Sequence, residues 1–368
     1  MNYCILGILG KLNNKKKQKP MAKKNMRIEK DSMGDVKVPA EAYYGAQTQR
    51  AIDNFQISNL KFSKSFIHSL AIIKRSAAIV NSKLKKLDNK YSQSIIQACD
   101  EVLEGKFDNQ FKVDIFQTGS GTSSNMNINE VIANRASEIL GGKLGSRKPV
   151  HPNDHVNLGQ SSNDVIPSAI HISTYIDIND KLFPALSKLE EALLKKTEEF
   201  NNIIKIGRTH LQDATPISLG QEFSGYVCQI KKSSIRLQNP HKALLELALG
   251  GTAVGTGINT HRKFGEMIAH EISNYTNFKF SESKNHFESQ ATQDSIVELS
   301  STLKTLSVSL HKIANDIRWL ASGPRSGIGE LRLPAVQPGS SIMPGKINPV
   351  ICESLIQVCA RVISNDAA

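Results

Sequence analysis

The segment Gly339-Ser-Ser-Ile-Met-Pro-Gly-Lys-Ile-Asn-Pro349 gathers side chains that can do chemistry within eleven residues. Two glycines free its backbone, Ser340 and Ser341 present adjacent hydroxyls, Lys346 and Asn348 add a cation and an amide, and Pro349 is placed to open a helix. It superficially resembles a phosphate-binding P-loop. Five residues rather than four separate Gly339 from Gly345, however, and Ile347 stands where a Ser or Thr is required, which excludes nucleotide binding. The plain alternative is a linker; Lys, Asn and paired Ser in one mobile loop suit capture of a carboxylate better. Thr209-His210 lies in Gly207-Arg-Thr-His-Leu-Gln-Asp-Ala-Thr-Pro216. A lone histidine is commonly structural, but its hydroxyl and amide neighbours, and Pro216, expected to begin a long helix, favour a catalytic one. Glu353, five residues after Asn348, is expected in the first turn or two of the next helix. There it is either an acid favoured by the helix dipole or a carboxylate that orients an imidazole and raises its basicity.

Two further turns are rich in donors: Thr118–Asn125, with Ser120, Gly121 and Thr122, and Ser161-Ser162-Asn163-Asp164. Each reads as an N-cap box or as a turn that grips an anion. His151-Pro152-Asn153-Asp154-His155 hints at metal ligands, but no second spaced pair accompanies it, so no metal site is expected. Gly250–Gly257 departs from GxGxxG and follows a helical pattern, which argues against a dinucleotide-binding fold.

Such turns need a scaffold, and the spaces between them supply one. Phe66, Leu70, Ile73, Ala77, Val80 and Leu84 recur at alternating four and three, as do Leu182, Leu186, Leu189 and Leu193. The longest stripe is Ile296, Leu299, Leu303, Leu306, Leu310, Ile313, Ile317 and Leu320. Seams this narrow are buried by other long helices, as in a bundle. Composition agrees: of 368 residues 39% are apolar and only 6% aromatic, with Trp319 the single tryptophan. The formal charge is +12, of which residues 1–25 hold seven lysines and no acid, leaving 12 − 7 = +5 for the rest. That tail reads as a disordered, solvated extension rather than a nucleic-acid or membrane contact; the remaining excess suits an enzyme drawing in dianions. The apolar run Tyr3 to Leu9 is too short to span a bilayer and lacks a signal peptide's charge and cleavage site. Five scattered cysteines without a CxxC pair point to a reducing compartment with no disulfide framework.

The GSSIMPGKINP loop resembles the signature of the fumarase/aspartase superfamily, and QTGSGTSSNMN, HPNDHVNLGQSSND, GRTHLQDATP and ELALGGTAVGTGIN are similar to its other blocks, in its order. The likeness runs from about Met26 to Ala368. Gly345 in MPGK, Ser120 in TGSGT and SGPRSGIGEL at 322–331 resemble the class II fumarases more than the aspartases. This resemblance implies a mainly α fold, with a mixed N-terminal domain at 26–160 and a long-helix bundle at 161–368. It also implies that the bundle is incomplete, since the family continues into a small C-terminal domain; a fragmentary record or an inactive, non-assembling product would both fit. The implied reaction is reversible hydration of fumarate to L-malate, a step of the tricarboxylic acid cycle, without metal, iron–sulfur cluster or other cofactor, with aspartate ammonia-lyase as the alternative. Under it Ser340 removes the C3 proton of malate. Lys346 and Asn348 hold the carboxylate that becomes the aci-carboxylate, and His210, held by Glu353, handles the proton of water. Ser120, Gly121, Thr122, Ser161, Ser162, Asn163, Thr209 and Ser341 clamp the substrate, and His151, Pro152, Asn153 and Asp154 form a secondary dicarboxylate site. Lys148 departs from the pattern where fumarases often carry Arg, losing a bidentate grip. A homotetramer is implied, its active site shared by three subunits, in the cytoplasm or, in a eukaryote, the mitochondrial matrix.

Overall fold

All three apolar stripes fold as helices in the computed structural model, which describes residues 25–368; residues 1–24 of the basic extension lie outside that range. In chain order the elements begin with strands β1 (Met26–Asp31) and β2 (Gly34–Pro39). Helices α1 (Ala46–Asn54), α2 (Lys64–Lys83), α3 (Asn89–Leu103), α4 (Thr122–Ile139), α5 (Ser162–Asp177) and α6 (Phe183–Glu199) follow. The hairpin β3 (Ile204–Thr209) and β4 (Gln212–Ser218) leads to α7 (Leu219–Ala243). Then come β5 (Glu246–Leu247), α8 (Phe264–Thr276), β6 (Ser281–Glu282), α9 (His286–Ala291), α10 (Asp294–Leu320) and α11 (Val350–Ala367).

The described residues form two compact units, one of residues 25–174 with Leu245–Thr292, the other of Tyr175–Leu244 with Gln293–Ala368. They part inside α5 rather than at 160/161, and residues 245–292 return to the first unit. Hydrogen bonds explain the difference. Asp164, Asn163 and His171 on α5 bond to Thr252, Ala253 and Glu246 respectively, so the start of that helix stays with the returning segment.

In the first unit β1 and β2 pair antiparallel, Met26 opposite Pro39. Helix α2 lies at the centre, against α3, α4 and α8, and its stripe residues Phe66, Leu70, Ile73, Ala77 and Val80 are buried. Helix α1 has no side-chain cap of its own behind Gly45. Glu130, buried on α4, supplies one: its carboxylate accepts the N–H of Gly45, Gln47 and Thr48 at 2.8, 3.0 and 3.1 Å and the Thr48 hydroxyl at 2.6 Å. Those are donors a helix start leaves open.

In the second unit α6 packs on α7, α7 on α10, and α10 on α11. On α10 every seventh residue, Leu299, Leu306, Ile313 and Leu320, is buried, while Leu303, Leu310 and Ile317 pack half-buried beside the core of Leu186, Phe223 and Ile230. This is the seam the 3.5-residue spacing predicts. Two boundaries differ from the sequence-based expectation. Pro216 lies within β4, and α7 starts only at Leu219, because the hairpin takes up the chain through Ser218. There a capping box ends it: Ser218 Oγ accepts Gln221 N–H at 3.0 Å and Gln221 Oε1 accepts Ser218 N–H at 2.9 Å. The polar segment Gln117–Asn129 is helical from Thr122 onward. Among the described residues no helix is long and apolar enough to cross a membrane.

Candidate active site

Two helix starts converge in the first unit. Gly121 takes a left-handed φ of 68° that lets the chain turn into α4, with Ser120 Oγ and Thr122 Oγ1 2.8 Å apart across it. A Cβ there would lie 3.0 Å from the Ile166 side chain of α5. Asn125, one turn into α4, donates from Nδ2 to Ser162 Oγ at 3.4 Å. Ser120, Gly121 and Thr122 therefore share one patch with Ser161, Ser162 and Asn163, where the short hydroxyls gathered at two helix starts suit an anion. Asn163 is exposed and donates to Ala253 O at 2.8 Å. Asp164 behind it is fully buried: Oδ1 accepts Ser161 N–H at 2.9 Å, and Oδ2 accepts Thr252 N–H at 2.9 Å and Gly250 N–H at 3.3 Å. Burial pushes its carboxyl up to about 7 against those three bonds. The Gly250 loop, which departs from a dinucleotide motif and lies in a block similar to the superfamily's, is thus a brace for the Ser161–Asn163 turn.

His151 to Asp154 form a separate place in the same unit. Pro152–Val156 make one π-helical turn, capped by His151, whose Nδ1 accepts Asp154 N–H at 3.2 Å. Pro152 is buried, Asn153 and Asp154 exposed. Of the four, His151 and Asp154 edge an open groove of about 880 Å³ whose wall includes Lys90, Lys143, Arg147 and Lys148, a basic setting for a carboxylate.

The second unit holds the remaining predicted residues. Thr209 ends β3, and His210 with Leu211 forms the hairpin turn at φ 54° and 62°, with His210 exposed. The hairpin is anchored by charge. Lys205 pairs with Glu222 at 2.5 Å and with Glu330 at 2.8 Å, and Arg208 pairs with Glu330 at 2.5 Å. Burial raises the Glu330 carboxyl, but its bonds to Arg208 and Lys205 outweigh that and leave it below its ordinary value. None of these pairs joins His210 to Glu353, which sits half-buried in the first turn of α11. In the loop before that helix, Ser340 Oγ accepts the N–H of Ile342 and Met343 at 3.3 and 3.2 Å. Two donors aimed at a hydroxyl oxygen favour its deprotonated form. Asn348 braces the loop, donating to Gly339 O at 3.0 Å, while Ser341 and Lys346 are exposed.

A model of the lyase family matches residues 34–364. A Neisseria meningitidis protein described as a class II fumarate hydratase is 53% identical over 342 residues, 93% of this chain and 74% of that protein. The chain belongs to the class II fumarate hydratase family. The mitochondrial fumarate hydratase of Schizosaccharomyces pombe is 55% identical over 93% of this chain and 66% of its own length. The crystal structure of the class II fumarase of Schistosoma mansoni superposes with a TM-score of 0.90 at 43% identity, over 93% of this chain and 75% of that one. The chain thus spans about three quarters of the length of the N. meningitidis and S. mansoni fumarases.

Within this fumarate hydratase fold, sequence reasoning passed over Lys74. It has no exposed surface, and its Nζ donates to Asn157 Oδ1 at 2.8 Å and Gln160 Oε1 at 3.0 Å. A signal existed: Lys74 follows Ile73 on the buried face of α2, where a lysine is rare unless paired.

Proposed function

We propose that the chain interconverts fumarate and L-malate by adding or removing water. The observation that carries this reading is the hydroxyl patch at the starts of α4 and α5, in a chain 53% identical to a class II fumarate hydratase over 93% of its length. Ser120, Thr122, Ser161, Ser162, Asn163, Thr209 and Ser341 grip the carboxylates and hydroxyl of the substrate. Ser340, its oxygen faced by two backbone N–H groups, takes the C3 proton of malate. The electron pair left at C3 delocalises into the adjoining carboxylate, whose second negative charge Lys346 and Asn348 stabilise. The C–O bond at C2 then breaks, and His210, oriented by Glu353, gives the departing hydroxide its proton. Hydration runs these steps backwards. Anti addition needs proton handlers on opposite faces and a charge sink beside a carboxylate, and these residue types supply both.

We further propose a homotetramer in which three copies contribute to each active site, so that His210 of one copy meets Glu353 of another. His151–Asp154 bind a second dicarboxylate, and the enzyme works in the cytoplasm or, in a eukaryote, in the mitochondrial matrix. One assay tests the reaction. Malate should yield the ultraviolet absorbance of fumarate, and fumarate should hydrate with no ammonia present. Ammonia release from aspartate without hydration of fumarate would overturn the reading.

A further inference from the structure

A charged lysine offers donors and no acceptor, and a buried donor dictates which way its neighbours face. Because Lys74 Nζ meets Asn157 Oδ1 and Gln160 Oε1, Asn157 turns its oxygen toward α2 and its amino group toward Gln160 O, 3.1 Å away. Burial lowers the Lys74 ammonium to about 7; either protonation state keeps at least two N–H bonds, enough for both oxygens. Asn157 Oδ1 also accepts the amino groups of Asn125 at 3.3 Å and Asn129 at 3.2 Å. Asn125 is thereby held amino side inward, and its other N–H reaches Ser162 Oγ at 3.4 Å. With a lone pair of Ser162 so occupied, its own proton is free to point outward. Were Asn125 reversed, its carbonyl would face Asn157 Oδ1, oxygen against oxygen, and would draw the Ser162 proton inward.

We infer that Lys74 is a positioning residue that sets the donor polarity of the chain Lys74–Asn157–Asn125–Ser162, so that Ser162 donates its hydroxyl proton to the dicarboxylate at the two helix starts. This rests on the reading of Ser162 as a substrate ligand given above. Remove the lysine and Asn157 can turn over, Asn125 with it, and Ser162 spends its proton on Asn125. Losing a donor to a charged oxygen weakens binding about tenfold.

The test is a double-mutant cycle on the full chain. Lys74→Met should raise KM for malate about tenfold with kcat changed less than about threefold, and Ser162→Ala should do the same. The Lys74→Met/Ser162→Ala double variant should be no worse than Ser162→Ala alone, since both act through one hydroxyl. A KM rise of equal factor in both backgrounds, or a lower Tm with KM unchanged, would overturn the proposal while leaving the hydratase reading intact. Should Lys74→Met not fold, Asn125→Ala severs the same chain without touching the lysine. It should give the same KM rise and the same non-additivity, and an additive rise overturns the proposal. A parental chain that turns over neither malate nor fumarate removes the hydratase reading and this proposal with it.

Discussion

Among single residues, those that sit together in a short motif were legible and those that act through distant partners were not. Ser340, Lys346 and Asn348 announce themselves by density in one loop, although nothing in the sequence foretold that Asn348 would brace Gly339. Asp164 was read only as part of a donor-rich turn. Its role depends on Gly250 and Thr252, about ninety residues on. This buried acid also makes a pH prediction. Its folded value of about 7 lies above the unfolded value near 4, so between those limits the folded state binds the extra proton. Its contribution to stability therefore falls as pH rises through that window, reaching its least favourable level above about 7. Chemical denaturation of the parent and Asp164→Asn from pH 4 to 8 should show the parent losing stability relative to the variant as pH rises. A constant difference would mean that Asp164 does not titrate in that range.

At the level of elements, periodicity told most. The stripes of α2, α6 and α10 recur at a helical period wherever they are buried, so their sequences alone define them. The β3–β4 hairpin was missed because Pro216 is as acceptable in an edge strand as at a helix start, and the capping box at Ser218 and Gln221 marks the true beginning of α7. The cap of α1 was invisible for another reason: Glu130 lies on a different helix, 82 residues beyond Thr48. Glu130→Gln would place an amino group against backbone N–H donors. It should lower stability by about 2 kcal/mol, read as a reduced midpoint of thermal or urea unfolding. An unchanged midpoint would show that α1 does not depend on this cap.

On the scale of the molecule, the sequence predicted a long-helix bundle and the structure has one, with units that interleave along the chain rather than follow one another. Interleaving is hard to read from sequence, because the bonds between α5 and residues 246–253 leave no periodic trace. On α10, Val297, Val308 and Trp319 remain exposed at 65%, 55% and 52%, and on α11 so do Ile351 and Val358. Apolar area of this kind on bundle helices suits the proposed tetramer. Val308→Lys should shift the chain to a smaller species in light scattering and reduce turnover with it; an unchanged assembly would place the subunit contacts elsewhere. The proposal of dicarboxylate hydration meets its most direct test at Ser340. Steady-state turnover of malate by Ser340→Ala, in a preparation whose assembly matches the parent, should fall by about a hundredfold to ten-thousandfold in kcat. Turnover at the parental rate would contradict the assignment of that hydroxyl as the base.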